Sequence, residues 1–145
     1  MDLFSEFAID PERLTVGVWR VFDSTTDRVV EESEIGTEPA ILLSSTDNPL
    51  YQQVLEKKMK PHIMKRGVEI DRKVRDRMIA ETLAETVIFG WKNWVVKGQP
   101  FEYSKSAVVE LWTNPTWARL KERVLAMVGD VDVFKAERQE EIVGN

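Results

Sequence analysis

The sequence has no cysteine and a single histidine, His62. Without thiols there is no disulfide framework, no thiolate zinc site, no iron–sulfur cluster and no cysteine nucleophile. With one imidazole, a multi-histidine metal site is excluded, and a Ser-His-Asp triad would have to use His62. Glycine and proline are sparse as well, seven and six in 145 residues, which excludes fibrous and low-complexity chains. The glycines never cluster, so neither a G-x-G-x-x-G nor a G-x-x-x-x-G-K-[ST] phosphate loop exists. No G-x-S-x-G elbow surrounds Ser44, Ser45 or Thr46. No apolar run approaches the roughly 18 residues that a membrane span needs. The opening MDLFSEFAID is acidic and lacks the basic and apolar regions of a signal peptide, so a cytoplasmic location is expected.

What is present is ordinary in amount, 43% hydrophobic and 31% charged, and suits one soluble domain spanning 1–145. The charge is not evenly spread. From Lys57 to Arg77 there are nine Lys or Arg against three acids, a surplus of six positive charges in a chain whose net charge is −5. The first 38 residues hold ten acids and three bases. A basic middle between acidic ends fits a solvated helix pair, a nucleic-acid patch, or self-complementarity between copies. No aromatic residue interleaves the basic run, which argues against base stacking and so against nucleic acid.

Local patterns divide the chain into an N-terminal part, 1–46, and a helical part, 47–145. Met1 to Arg13 reads as a weakly ordered lead-in. Residues 15–23, TVGVWRVFD, alternate and are rich in β-branched and aromatic side chains, which predicts a strand. Ser24–Asp27 is a turn, Arg28–Glu32 a short return strand, and 40–46, AILLSST, a second buried strand. A sheet of two or three strands is too small to stand alone and must pack on helices. Asn48-Pro49 then sets an N-cap with proline at the first helical position. Pro61 is expected to end or kink that helix at Lys60, and His62–Gly67 to connect to the next. A long central helix is expected from Ile70 to Trp94, its second half apolar nearly all round and therefore buried on several sides. Lys97–Pro100 breaks it. Ser104 and Asn114-Pro115 cap two further helices, Gly129 closes the second, and Asp130 caps a last one carrying Val133, Phe134 and Ala136 before a polar ending. The fold class is α+β, a small N-terminal sheet followed by about five helices.

Few residues are placed for chemistry. Glu81 and Glu85 form the best carboxylate pair, one helical turn apart. No Glu-x-x-His accompanies them, so a di-metal site is not indicated, and a Lys or Arg partner across the bundle is the simpler reading. The chain is expected to be no enzyme, with no catalytic residue, metal or cofactor. Core packing accounts for Trp91 and for one of Trp112 and Trp117. Four tryptophans in the helical half are hard to bury completely, so at least one belongs at an interface. The candidate interaction surface is therefore Lys57, Lys58, Lys60, Lys65, Arg66, Arg72 and Lys73, with Trp94 and Trp117.

Four stretches carry a resemblance. STDNPLYQQVLEKKMKPH at 45–62, ETLAETVIFGWKNW at 81–94, FEYSKSAVVELWTNPTW at 101–117 and VGDVDVFKAERQEEIVGN at 128–145 follow one another in the order and spacing of the tail assembly chaperones of long-tailed bacteriophages. The chain resembles that family over nearly its whole length after the lead-in; residues 13–38 have no counterpart in the pattern. The resemblance implies a non-structural assembly factor that binds the tape-measure protein, keeps its long helices soluble, and assists assembly of the tail-tube protein. It also implies self-association as a ring or spiral, and no catalytic residues. The alternatives are a small DNA-binding or regulatory protein using residues 57–77, and a structural tail or head–tail component.

Overall fold

The computed structural model describes residues 1–63 and 69–135. Lys65, Arg66, the break at Gly67, Ala136 and the polar ending lie outside the described residues.

The N-terminal part forms two short helices rather than a loose lead-in, α1 (Leu3–Phe7) and α2 (Pro11–Val16). Each starts on an aspartate whose carboxylate accepts a backbone N–H, Asp2 from Phe4 at 2.9 Å and Asp10 from Glu12 at 3.0 Å. α2 is held by residues at the other end of the chain. Leu14 packs with Val18, Val133 and Phe134, and Arg13 Nη1 donates to the Val133 carbonyl at 2.6 Å. No local pattern announces a partner 120 positions away.

Strand β1 (Val18–Phe22) turns through Asp23–Thr26 into β2 (Asp27–Val30). The Asp23 carboxylate accepts the Thr25 and Thr26 amides at 2.9 and 2.7 Å, and these bonds lower its pKa to about 2. β3 (Ala40–Leu43) pairs antiparallel with the other edge of β1, Val18 facing Leu43 and Arg20 facing Ile41. The predicted small sheet is present, and it has a fourth strand, β4 (Ile88–Lys92), giving the order β2-β1-β3-β4.

That strand corrects the long central helix. Helix α3 (Pro49–Ile63) is followed by α4 (Arg72–Thr86), which stops eight residues before Trp94. The run after it, Val87-Ile88-Phe89-Gly90-Trp91, is β-branched, aromatic and glycine-containing. It is an edge strand of the sheet, with Ile88 and Trp91 buried and Phe89 and Gly90 half-buried, and not the second half of a helix buried on all sides. β3 offers it an edge, with Ile41 facing Trp91. Asn48 fixes the junction. Its Oδ1 accepts the Leu50 amide at 3.1 Å, capping α3, while its Nδ2 donates to the Thr86 carbonyl at 3.0 Å, closing α4. Pro61 does not end α3 at Lys60; the helix runs on to Ile63. Pro61 and Lys57, whose carbonyl loses its helical partner, are both exposed, so water can satisfy that carbonyl.

The Lys97–Pro100 break is a tight hairpin between β5 (Val95–Val96) and β6 (Gln99–Pro100), with Lys97 at φ 52° and Gly98 at φ 77°. Ser104 caps α5 (Lys105–Thr113), accepting the Ala107 amide at 3.0 Å. Asn114 caps a 3₁₀ turn, Pro115–Trp117, that leads into α6 (Ala118–Val128). Asp130 caps nothing with its side chain; the following Val131–Phe134 is a 3₁₀ turn, and the Asp130 carboxylate pairs with Arg20 at 3.1 Å.

The core lies between one sheet face and α4, α5 and α6. Ile41, Leu43, Ile88 and Trp91 meet Leu83, Val108, Leu111 and Val124 there. Arg20 is buried on the same face. It pairs with Asp27 and donates to the Met127 carbonyl at 3.0 Å, so it ties β1 to the end of α6. Arg123 of α6 pairs with the same Asp27 at 2.7 Å. Burial raises the Asp27 pKa, but the hydrogen bonds and charges of Arg20 and Arg123 outweigh it and leave the pKa lowered.

Candidate interaction surface

The basic segment folds as the α3–α4 pair, and its charges divide into two groups. Lys58 faces inward, with Nζ 3.1 Å from Glu85 and 3.5 Å from Glu81, and Glu81 also pairs with Arg77 at 3.1 Å. The hydrogen bond to Glu85 raises the Lys58 pKa, against a smaller effect of burial. Lys58 is therefore committed to the two carboxylates, with Arg77 supplying the second positive charge, and is less available than its neighbours to a partner. Glu81 and Glu85 bridge two helices through a lysine, and among the described residues no group of three or more His, Cys, Asp or Glu is arranged to hold a metal ion.

Lys57 and Lys60 are exposed on α3, and Arg72, Lys73 and Arg75 are exposed on the first turns of α4. Asp71 caps that helix, accepting the Lys73 amide at 3.2 Å. No acidic residue stands in its first turn. A helix start carries a partial positive charge, so cations there are unfavourable. Val74, partly exposed, lies among them.

The tryptophans separate in the same way. Trp94 is buried, stacked on Trp91 with its indole N–H bonded to the Ala40 carbonyl at 3.1 Å, so it belongs to the core and not to a surface. Trp112 is buried too. Trp117 is half-buried, its ring 6.1 Å from that of Phe101.

Two surfaces were not read from the sequence. A groove of about 650 Å³ runs between the β1–β2 turn and α6, with Phe22, Pro39, Leu120 and Ala126 as apolar lining and Asp23, Glu122, Arg119 and Arg123 beside them. At the far end of β1, helix α1 buries none of its residues. The groove depends on a tertiary meeting of distant segments, whereas α1 did carry a signal, the spacing of Leu3, Phe4 and Phe7.

Residues 46–145 match the family described as YdaY prophage protein. The chain belongs to that family. No curated protein and no solved structure gives a match. The match begins at Thr46, so it spans α3 to the end of the chain and contains one strand of the four-stranded sheet, β4. The α3–α4 pair, Trp117 and α6 all fall within it. β1, β2, β3 and α1 precede it. Among the described residues of this YdaY-family chain, no helix is long and apolar enough to cross a membrane.

Proposed function

We propose that this prophage protein is a non-enzymatic tail assembly chaperone, acting in the host cytoplasm on the tape-measure protein and the tail-tube protein. Membership of a prophage family supports the phage context. The four stretches that resemble tail assembly chaperones lie almost wholly within the matched residues. The observation that carries the reading is the groove beside α6. Its apolar lining suits the apolar stripe of a client helix, and its rim of Asp23, Glu122, Arg119 and Arg123 suits polar flanks of both signs. Ala126 and Arg119 are exposed there, so they can be changed without opening the core.

The test is to produce the tape-measure protein of the same prophage with and without this chain. The client should be soluble and co-purify only when the chain is present. Ala126→Arg with Arg119→Glu should abolish that rescue while the variant remains folded. Deletion of the gene from an inducible prophage should leave filled heads without tails by electron microscopy. Normal tails in the deletion strain would refute the proposal.

A further inference from the structure

We propose that the N-terminal surface formed by α1 and α2 docks a basic amphipathic helix of a second protein, at a place separate from the α6 groove. Ten large hydrophobic side chains are exposed among the described residues, and five of them, Met1, Leu3, Phe4, Phe7 and Val16, fall in the first 16 positions. Leu3, Phe4 and Phe7 are 65%, 57% and 67% exposed and share one side of α1. Side chains of this size exposed together mark an interaction site more often than single ones do. The stripe is also held in place. Asp2 caps α1, Ile9 bridges to Lys135, and the Asp10 amide donates to the Phe134 carbonyl at 2.8 Å. A stripe already ordered loses little conformational entropy when a partner covers it.

The charge around the stripe selects the partner. Asp2 and Glu6, four positions apart, border it along one side of α1. Beyond Ile9, a hollow of about 280 Å³ between α2 and the β1–β2 hairpin is lined by Val16, Trp19 and Val29, with Asp10, Glu12 and Glu31 beside them. None of these five carboxylates is in an ion pair among the described residues. Asp2 and Asp10 keep their charge while capping. Two positive charges stand against the five, the Met1 amino group and Arg13, which is half-buried and bonded to the Val133 carbonyl. Lys135 pairs with Asp132 and Lys92 with Glu32, so neither changes the balance. Such a surface repels nucleic-acid phosphates and anionic lipid headgroups. It matches a helix whose apolar stripe is bordered by Lys or Arg. The surface lies wholly before Thr46, outside the residues matched to the family, whereas the α6 side of the groove lies within them.

The test is fluorescence anisotropy on the full-length chain with two labelled synthetic helices of about 18 residues, or five turns. One carries a leucine stripe bordered by lysines, and the other has glutamate in place of every lysine. The lysine peptide should bind at least about tenfold more tightly, and the difference should narrow as salt rises. Leu3→Ser with Phe4→Ser and Phe7→Ser should weaken its binding by about tenfold or more, as should Glu6→Gln with Glu12→Gln and Glu31→Gln. All six side chains are exposed, so circular dichroism and thermal unfolding should show both variants folded. Two controls should bind the lysine peptide as wild type does. Glu56→Gln with Glu69→Gln and Glu102→Gln removes exposed acids elsewhere, and Ala126→Arg with Arg119→Glu alters the α6 groove, which keeps the two readings apart. A wild type that ignores the lysine peptide, or binds both peptides equally, overturns the proposal. So does an equal loss in the acid control, which would mean attraction by net charge alone, or a loss in the groove variant. Self-association of the chain without peptide, abolished by the serine substitutions, would assign the stripe to a second copy and overturn it too.

Discussion

The indole rings of Trp91 and Trp94 lie parallel, their planes within 1° and their centroids 4.0 Å apart, although the residues are only three positions apart. Asn93, at φ 64°, turns the chain sharply enough to bring the second ring back over the first. Each indole N–H is bonded to a different segment, Trp91 to the Phe101 carbonyl at 2.7 Å and Trp94 to that of Ala40 at 3.1 Å. The stack therefore joins the edge of the sheet to the hairpin strand that leads into α5.

Trp91→Ala should cost about 3–5 kcal/mol, because it empties a large buried site and frees a carbonyl. Trp94→Phe should cost less, about 1–3 kcal/mol, since the ring volume is largely kept and the main loss is the bond to Ala40. Urea unfolding followed by far-UV circular dichroism measures both. Equal costs for the two variants would contradict this account.

Leu83→Ala should destabilise by about 2–5 kcal/mol. Leu83 is almost fully buried on α4 where the helix meets the sheet. A measured loss below about 0.5 kcal/mol would place the core elsewhere.

Gly17→Ala should destabilise by about 1–3 kcal/mol. Gly17 sits at φ 81°, and a Cβ there would meet Phe89 Cδ2 at 2.8 Å and Leu42 Cδ1 at 3.2 Å. Shortening Phe89 relieves the clash and leaves the backbone strain. A double-mutant cycle of Gly17→Ala with Phe89→Ala should therefore show positive coupling. No coupling would mean that the strain is all in the backbone.

Acid should destabilise the fold in part through Asp27 and Asp23. Both carboxylates have lowered pKa values in the folded chain, that of Asp23 about 2. Their contribution is present above the unfolded value of about 3.9 and is lost as pH falls through the folded values. Asp27→Asn should flatten the loss of stability below about pH 4 and also lower stability at neutral pH, because Arg20 stays buried with a weaker partner. An unchanged pH profile in this variant would show that Asp27 is not coupled to folding.

Reversing Lys58 and reversing its neighbours should have different consequences. Lys57→Glu and Lys60→Glu change exposed charges and should shift stability by no more than about 0.5 kcal/mol. Lys58→Glu sets a third carboxylate against Glu81 and Glu85 and should cost about 1 kcal/mol or more, lessened by added salt. Thermal unfolding at low and high salt separates the cases, and Glu81→Gln with Glu85→Gln should remove most of the Lys58→Glu penalty.

The parts of the fold legible in the sequence are those with local causes. Asn48-Pro49 and Ser104 cap as read, and Asn114-Pro115 caps the 3₁₀ turn that leads into α6 in place of the helix itself, because a cap is made within four residues of the chain. The β1 and β3 strands follow from their β-branched composition. Leu83, Val87 and Trp91 are buried as expected. The failures have distant causes. Val87–Trp91 is apolar enough for either a buried helix or a buried strand, and the free edge of β3 decides between them. α2 is ordered by Val133 and Phe134. In the basic segment Lys57, Lys60, Arg72 and Lys73 are exposed, while Lys58 is held by Glu81 and Glu85; Trp94 is buried. Charge sign is visible in a sequence, but the direction a side chain faces depends on which helix packs against which.

The sheet order also sets a timetable for synthesis. β1, β2 and β3 leave the ribosome first, with β1 central and β2 and β3 on its two sides, but the strand beside β3 and the helices over Ile41 and Leu43 are encoded between residues 72 and 128. At cellular elongation rates, Leu43 precedes Val128 by roughly 4–17 s. Through that interval the three strands present their apolar face and an open edge to solvent, and α2 waits longer still, for Val133 and Phe134. The nascent chain should therefore be most vulnerable to proteolysis in its first third until nearly all of it has been made, which limited proteolysis of ribosome-arrested chains of increasing length would detect as late, abrupt protection.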